Sequence, residues 1–171
     1  MTDRETEPNK PAATWQDYVS LARPDHWVKH VLILPGIILA SMFRPESVAE
    51  HVSDVLIGLA SAAAIASANY VLNEWLDSAF DAFNGHKAHR PAVRKRLSRL
   101  VVVLEYLGLA AGGLVLAALL SPLFVVVSVA FLLSGLIYNV PPVRTKDLAF
   151  LYVLSESINS PIRLTLGWAM V

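Results

Sequence analysis

Residues 52–81 read Val52-Ser-Asp-Val-Leu-Ile-Gly-Leu-Ala-Ser-Ala-Ala-Ala-Ile-Ala-Ser-Ala-Asn69-Tyr-Val-Leu-Asn73-Glu-Trp-Leu-Asp77-Ser-Ala-Phe-Asp81. The run from about Val52 to Leu76 is mostly apolar, and ~20 such residues in a helix cross a hydrocarbon core of ~30 Å. Ala and Ser dominate between Ala60 and Ala68, and small side chains let helices pack closely in lipid. The far end changes character. Asn69, Asn73, Asp77 and Asp81 recur every four residues, a spacing that drifts by only ~40° per step on a 3.6-residue helix. They form one polar row that starts inside the apolar span and ends beyond it.

Working outward, similar apolar runs flank this one. A first span covers about Val28–Phe43, contains Pro35 and Gly36, and follows a mixed lead-in from Trp15 to Trp27. Trp and Tyr favour the membrane interface, so this lead-in reads as interfacial. A third span covers about Leu97–Leu120 and a fourth Leu123–Tyr138, with Ser121-Pro122 between them. Pro141-Pro142 then breaks the helix. A fifth apolar stretch runs from near Leu148 to Val171. The expected fold is all-α, a polytopic transmembrane helix bundle of about five spans. It forms a single integral membrane domain over 15–171, behind a polar tail at 1–14.

Composition agrees. Of 171 residues, 55% are hydrophobic and 16% charged, with a mean hydropathy of +0.51, more apolar than soluble domains. With 14 basic and 14 acidic residues there is no net charge, so nothing global attracts nucleic acid. The absence of cysteine excludes disulfides and thiolate metal sites. Lipid bilayer is the implied surrounding; the sequence does not specify an oligomeric state.

Loop charge orients the chain. Arg4, Lys10, Arg23 and Lys29 precede the first span; Lys87, Arg90, Arg94, Lys95 and Arg96 follow the second; Arg144 and Lys146 follow the fourth. Only Arg44 lies on the other side. The N-terminus and both loops are therefore expected on the cytoplasmic face.

That face also receives the acidic row. Helical neighbours four apart lie ~5–6 Å from one another, and paired carboxylates at that separation bracket divalent cations. Mg²⁺ takes one or two carboxylates and completes its shell with waters and substrate phosphates. Arg90 suits bidentate phosphate contact and Lys87 acts as a point charge. The alternative for Asp77 and Asp81 is a solvated helix end, but Asn69 and Asn73 carry the row into the span, where polar groups mark functional sites. Arg94-Lys95-Arg96 reads as an anchor, and His86 and His89 as surface residues. Glu156, Asn159 and Arg163 share one face of the fifth stretch, as an internal ion pair or as the lining of a polar cavity. Glu105 stands alone in the third span, with a basic partner expected on a neighbouring helix.

Together these residues bear a resemblance. Asn73-x-x-x-Asp77-x-x-x-Asp81 at the end of the second span resembles the first aspartate-rich motif of the UbiA-type intramembrane prenyltransferase superfamily. Arg90-Pro91, Tyr138-x-x-Pro141-Pro142-x-Arg144-x-Lys146 and the opening Arg23-Pro24 with Trp27 and Lys29 fit the same pattern. The resemblance covers about Arg23 to Trp168. Glu74 stands where many members carry Asp, and 171 residues hold about five of the usual eight or nine spans, without the family's second aspartate-rich motif.

The resemblance implies an Mg²⁺-dependent, membrane-embedded transfer of a polyprenyl group from a polyprenyl diphosphate to an acceptor, often aromatic. Asp77, Asp81 and Asn73 would be catalytic and would hold the metal. Arg90, Lys87, Arg144 and Lys146 would contact diphosphate. Tyr138, Arg23, Lys29, Asn69, Asn159 and Arg163 are further substrate-binding candidates. Two alternatives stand beside it. The Arg23-Pro24…Trp27-Val28-Lys29 opening also looks like members that transfer phosphoribose from phosphoribosyl pyrophosphate to polyprenyl phosphate. The other is an inactive or non-enzymatic membrane fragment. A transporter fits less well, because the acidic row lies at the interface rather than near the midplane.

Overall fold

The structure is a computed structural model and describes residues 10–44 and 50–171. Most of the expected polar tail, including Arg4, lies outside the described residues. All the extended elements are helical: α1 (Trp15–Leu21), a 3₁₀ stretch (Pro24–Ile33), α2 (Leu34–Phe43), α3 (Val52–Asp81), the single turn α4 (Pro91–Arg94), α5 (Arg99–Ala118), α6 (Pro122–Asn139), a 3₁₀ turn (Thr145–Asp147) and α7 (Ala149–Trp168).

Among the described residues, four helical stretches are long and apolar enough to cross a membrane: Trp15–Phe43, Val52–Asp81, Arg99–Ala118 and Pro122–Asn139. The first span is longer than Val28–Phe43 because the lead-in is itself helical. Thr14 starts it, its backbone N–H donating to Asp17 at 2.7 Å and its hydroxyl at 2.8 Å, as a capping residue does. The fifth expected stretch is the helix α7. α7 has the length, but Glu156, Asn159, Pro161 and Arg163 dilute its apolar character, and it lies against α2 and α6.

α3 is the spine. Its 30 residues extend ~45 Å at 1.5 Å per residue, more than a ~30 Å hydrocarbon layer. Part of it must project, and the polar end is the part that water tolerates. Close approach of the helices rests on small residues. Ser61 Oγ on α3 donates to the Gly113 carbonyl on α5 at 2.7 Å, and a Cβ on Gly113 would come within 2.6 Å of the Ile65 side chain. Gly36 on α2 and Gly167 on α7 meet backbone to backbone, so a Cβ on either would strike the other helix.

The main core joins Ile33, Ile37, Ile65, Phe124, Phe131 and Leu166; a smaller cluster around Leu21, Val71 and Val102 seats α1 on α3 and α5. Leu100, Leu104, Leu107 and Val115 on α5, and Leu119 at its C-terminal cap, are all exposed. They recur at helical spacing as one stripe, an apolar surface suited to lipid. Glu105, behind that stripe, has one buried oxygen without a hydrogen-bond partner. No cation pairs with it among the described residues, contrary to expectation.

Candidate functional site

The polar row emerges from α3 into a ring of cations. Asp77 Oδ1 accepts from Arg144 Nη2 at 2.8 Å and lies 2.6 Å from Lys146 Nζ. One turn on, Asp81 Oδ2 accepts from Arg90 Nη1 at 2.6 Å, while its Oδ1 lies 3.1 Å from Lys87 Nζ. Two carboxylates thus hold four cations, a surplus of positive charge suited to a polyanion.

Each cation is placed by its local chain. Arg90 immediately precedes Pro91 at the start of α4, where proline's missing N–H costs nothing. Arg144 follows the Pro141-Pro142 break with φ of 27°, a left-handed region that costs a non-glycine residue of order 1–3 kcal/mol and clusters at functional sites. Its guanidinium is also 2.8 Å from Asp147 and lies over the Phe80 ring. Lys146 donates to Asn139 Oδ1 at 2.8 Å. Burial pushes its ammonium below the usual lysine value, while Asp77 pulls the other way. The Ser155 hydroxyl donates to Thr145 at 2.8 Å, tying this loop to α7.

Beneath the ion pairs lies a cavity of about 290 Å³ between α3, α6, α7 and the 3₁₀ stretch. Lys29, Asn69, Asn73, Tyr138, Asn159 and Arg163 all line it. Asn69 donates to the Phe131 carbonyl at 3.1 Å, and its side chain occupies the space that a Cβ on Gly135 would need. Of the two readings of Glu156 and Arg163, the structure has the cavity lining: both face it, and no ion pair joins them among the described residues. Arg23 does not line the cavity; it lies 3.8 Å from Asp25, with φ of 50°. His86 and His89 are exposed, and no three His, Cys, Asp or Glu side chains converge among the described residues.

Sequence reasoning missed several participants. Asn139, buried, relays between Lys146 and the Gly135 carbonyl; Ser134 and Ser160 add hydroxyls to the cavity wall. Glu74 is buried, accepts from the Ala92 backbone N–H and sits in the field of Arg90 and Arg23. Its one signal was the polarity of Asn73-Glu74 inside an apolar span. The donor set suits Mg²⁺. Two carboxylates and an amide leave most of the shell to phosphate and water, which is how that ion is usually held.

A helical membrane bundle with a charge-ringed polar cavity at one end is the class these features define. Residues 32–171 match the UbiA prenyltransferase family, and the chain belongs to it. It is 30% identical over 138 residues to the nodulation protein NoeC of Azorhizobium caulinodans, covering 81% of this chain and 43% of that protein. It is 25% identical over 160 residues to the protoheme IX farnesyltransferase of Alkalihalophilus pseudofirmus, covering 92% and 50%. A UbiA homolog from Archaeoglobus fulgidus, solved with DMAPP and Mg²⁺, shares the fold at a TM-score of 0.73 and 20% identity, covering 90% of this chain and 54% of that one. The same homolog solved with GPP and Mg²⁺ gives 0.73 and 22%, covering 90% and 53%. The chain therefore spans about half the length of these relatives.

Proposed function

We propose that this chain carries the diphosphate-binding part of an Mg²⁺-dependent transferase that moves a prenyl group from a polyprenyl diphosphate to an acceptor. The observation that carries this reading is the pairing of Asp77 and Asp81 with four cations above a polar cavity. Asn73, Asp77 and Asp81 would hold Mg²⁺, which when bound offsets the charge of a departing diphosphate. Arg90, Lys87, Arg144 and Lys146 then exchange a carboxylate for phosphate oxygens. They are already gathered on two carboxylates one helical turn apart, so they need little reorganisation as leaving-group charge develops. The prenyl chain lies in lipid beside the bundle, because the cavity is small and its wall polar. The positive loop bias supports a cytoplasmic position for the N-terminus and the site loops.

The polar wall also favours a second reading. Lys29, Asn73, Asn159 and Arg163 suit a hydroxylated, charged molecule, as in phosphoribosyl transfer from phosphoribosyl pyrophosphate to polyprenyl phosphate. Diphosphate leaves in both reactions, so the same residues serve.

The test is binding to detergent-solubilised protein. Mg²⁺-dependent affinity for geranylgeranyl diphosphate alone supports the prenyl donor site. Mg²⁺-dependent preference for phosphoribosyl pyrophosphate moves the protein to the second reading. Binding of neither overturns both and leaves the row a structural feature of a non-enzymatic chain.

A further inference from the structure

The metal–diphosphate reading uses the ion pairs at the end of α3 and leaves the deep end of the cavity without a role. Arg163 lines that end. Its guanidinium lies 5.7 Å from the Phe131 ring centroid, and its Nε is buried without a hydrogen-bond partner. No carboxylate pairs with it among the described residues. Glu156, the nearest acid on its helix face, engages the Tyr138 hydroxyl instead. Beside Arg163 is His30, buried and with both ring nitrogens unpartnered. Lys29, on the same cavity wall, meets the His26 ring nitrogen at 3.3 Å. An unpaired cation held inside a membrane bundle is costly, and by default it marks a ligand site.

Depth can be measured along the helices. Ser155 contacts Thr145, next to Lys146 of the ion-pair cluster, and Arg163 is eight residues further along α7, ~12 Å at 1.5 Å per residue. On α3, Asn69 is likewise eight residues from Asp77, ~12 Å by the same rise, and it bonds the carbonyl of the very Phe131 whose ring faces Arg163. A cavity of about 290 Å³ lies at the small end of ligand pockets. It admits a compact molecule reaching from one pole to the other.

We propose that Arg163, assisted by Lys29, binds an anionic oxygen group, carboxylate or phosphate, on a small co-substrate whose reactive end points toward Asp77. Naming the ligand a co-substrate rests on the transferase reading; the anion site does not. Arginine is suited to the task because its planar fork meets two such oxygens at once.

The test titrates ribose 5-phosphate and 4-hydroxybenzoate, neither of which carries a diphosphate, into the solubilised full chain without Mg²⁺, followed by ligand-observed NMR. The expected result is that one of them binds, that Arg163→Ala weakens it by about tenfold or more, and that Arg163→Lys recovers part of the loss. Which probe binds identifies the group as phosphate or carboxylate. Arg163→Lys keeps the charge, and a far-ultraviolet circular dichroism spectrum and melting midpoint close to wild type in both variants show that a loss of probe binding is not a loss of fold. Binding of neither probe, or equal binding to wild type and both variants, overturns the proposal. If wild type fails to bind geranylgeranyl diphosphate with Mg²⁺ while a probe still binds through Arg163, the prenyl-donor reading falls and the anion site stands.

Discussion

Replacing Asp77 with asparagine removes one charge and keeps the shape of the side chain. Asp77 Oδ1 serves both Arg144, at 2.8 Å, and Lys146, at 2.6 Å, and the three side chains are only 9–15% exposed, so water screens them little. Hydrogen bonds to charged groups contribute ~1.5–3 kcal/mol each, about twice the neutral kind. An amide oxygen left in place forfeits roughly half, a total loss of ~1.5–3 kcal/mol over the two contacts. Arg144 keeps Asp147 and Lys146 keeps Asn139, so the variant still folds. At ~2–4 °C per kcal/mol for a chain of this size, its melting midpoint in detergent falls by about 3–12 °C. Calorimetric titration of pyrophosphate then separates two effects. The Mg²⁺-dependent gain in affinity disappears, because one of two metal carboxylates is gone. Affinity without Mg²⁺ holds or rises, because two cations are released and a repelling charge removed. A wild-type Mg²⁺ gain in Asp77→Asn would refute the metal role. An unchanged melting midpoint would refute the energetic account of the ion pairs.

Three further outcomes follow from the same geometry. Arg144→Gly and Arg144→Ala lose the same ion pairs, but at φ of 27° glycine alone is unstrained, so the glycine variant melts higher, by about 1 kcal/mol in stability. Gly167→Val drives a side chain into the Ile33 carbonyl and lowers stability by more than the ~1–3 kcal/mol of ordinary overpacking, whereas Gly108→Ala, with open space around it, gains ~0.5–1 kcal/mol; thermal unfolding compares the two. Glu74→Gln keeps an acceptor for Ala92 but removes the charge facing Arg90 and Arg23, so pyrophosphate affinity holds or rises by less than about tenfold, and its Mg²⁺ dependence persists, unlike that of Asp77→Asn.

The membrane class, the four qualifying spans and the acidic row were legible in residues 52–81 and their neighbours, because apolar length and four-residue spacing are local properties of one helix. α7 is less legible for a related reason. Its mean polarity is intermediate, and only its contacts with α2 and α6 give it a place in the bundle. Glu105 shows the opposite limit. Its charge was visible, but the absence of a partner among the described residues depends on what neighbouring helices turn toward it.

By itself the sequence determined that this chain is a helical membrane protein with carboxylates and cations gathered at one end. Hydrophobicity and helical period act over a few turns, and they are written in order along the chain. Only the tertiary structure decided which cation meets which carboxylate, joining Asp77 to Arg144 across 67 residues. It alone made Arg163 an unpaired charge in a cavity rather than the partner of Glu156, and it set Asn139 and Glu74 among the polar groups that hold the cations. Those outcomes depend on the rotation and depth of each helix against the others. Glycine contacts and side-chain volumes fix these across the bundle, and no local period encodes them.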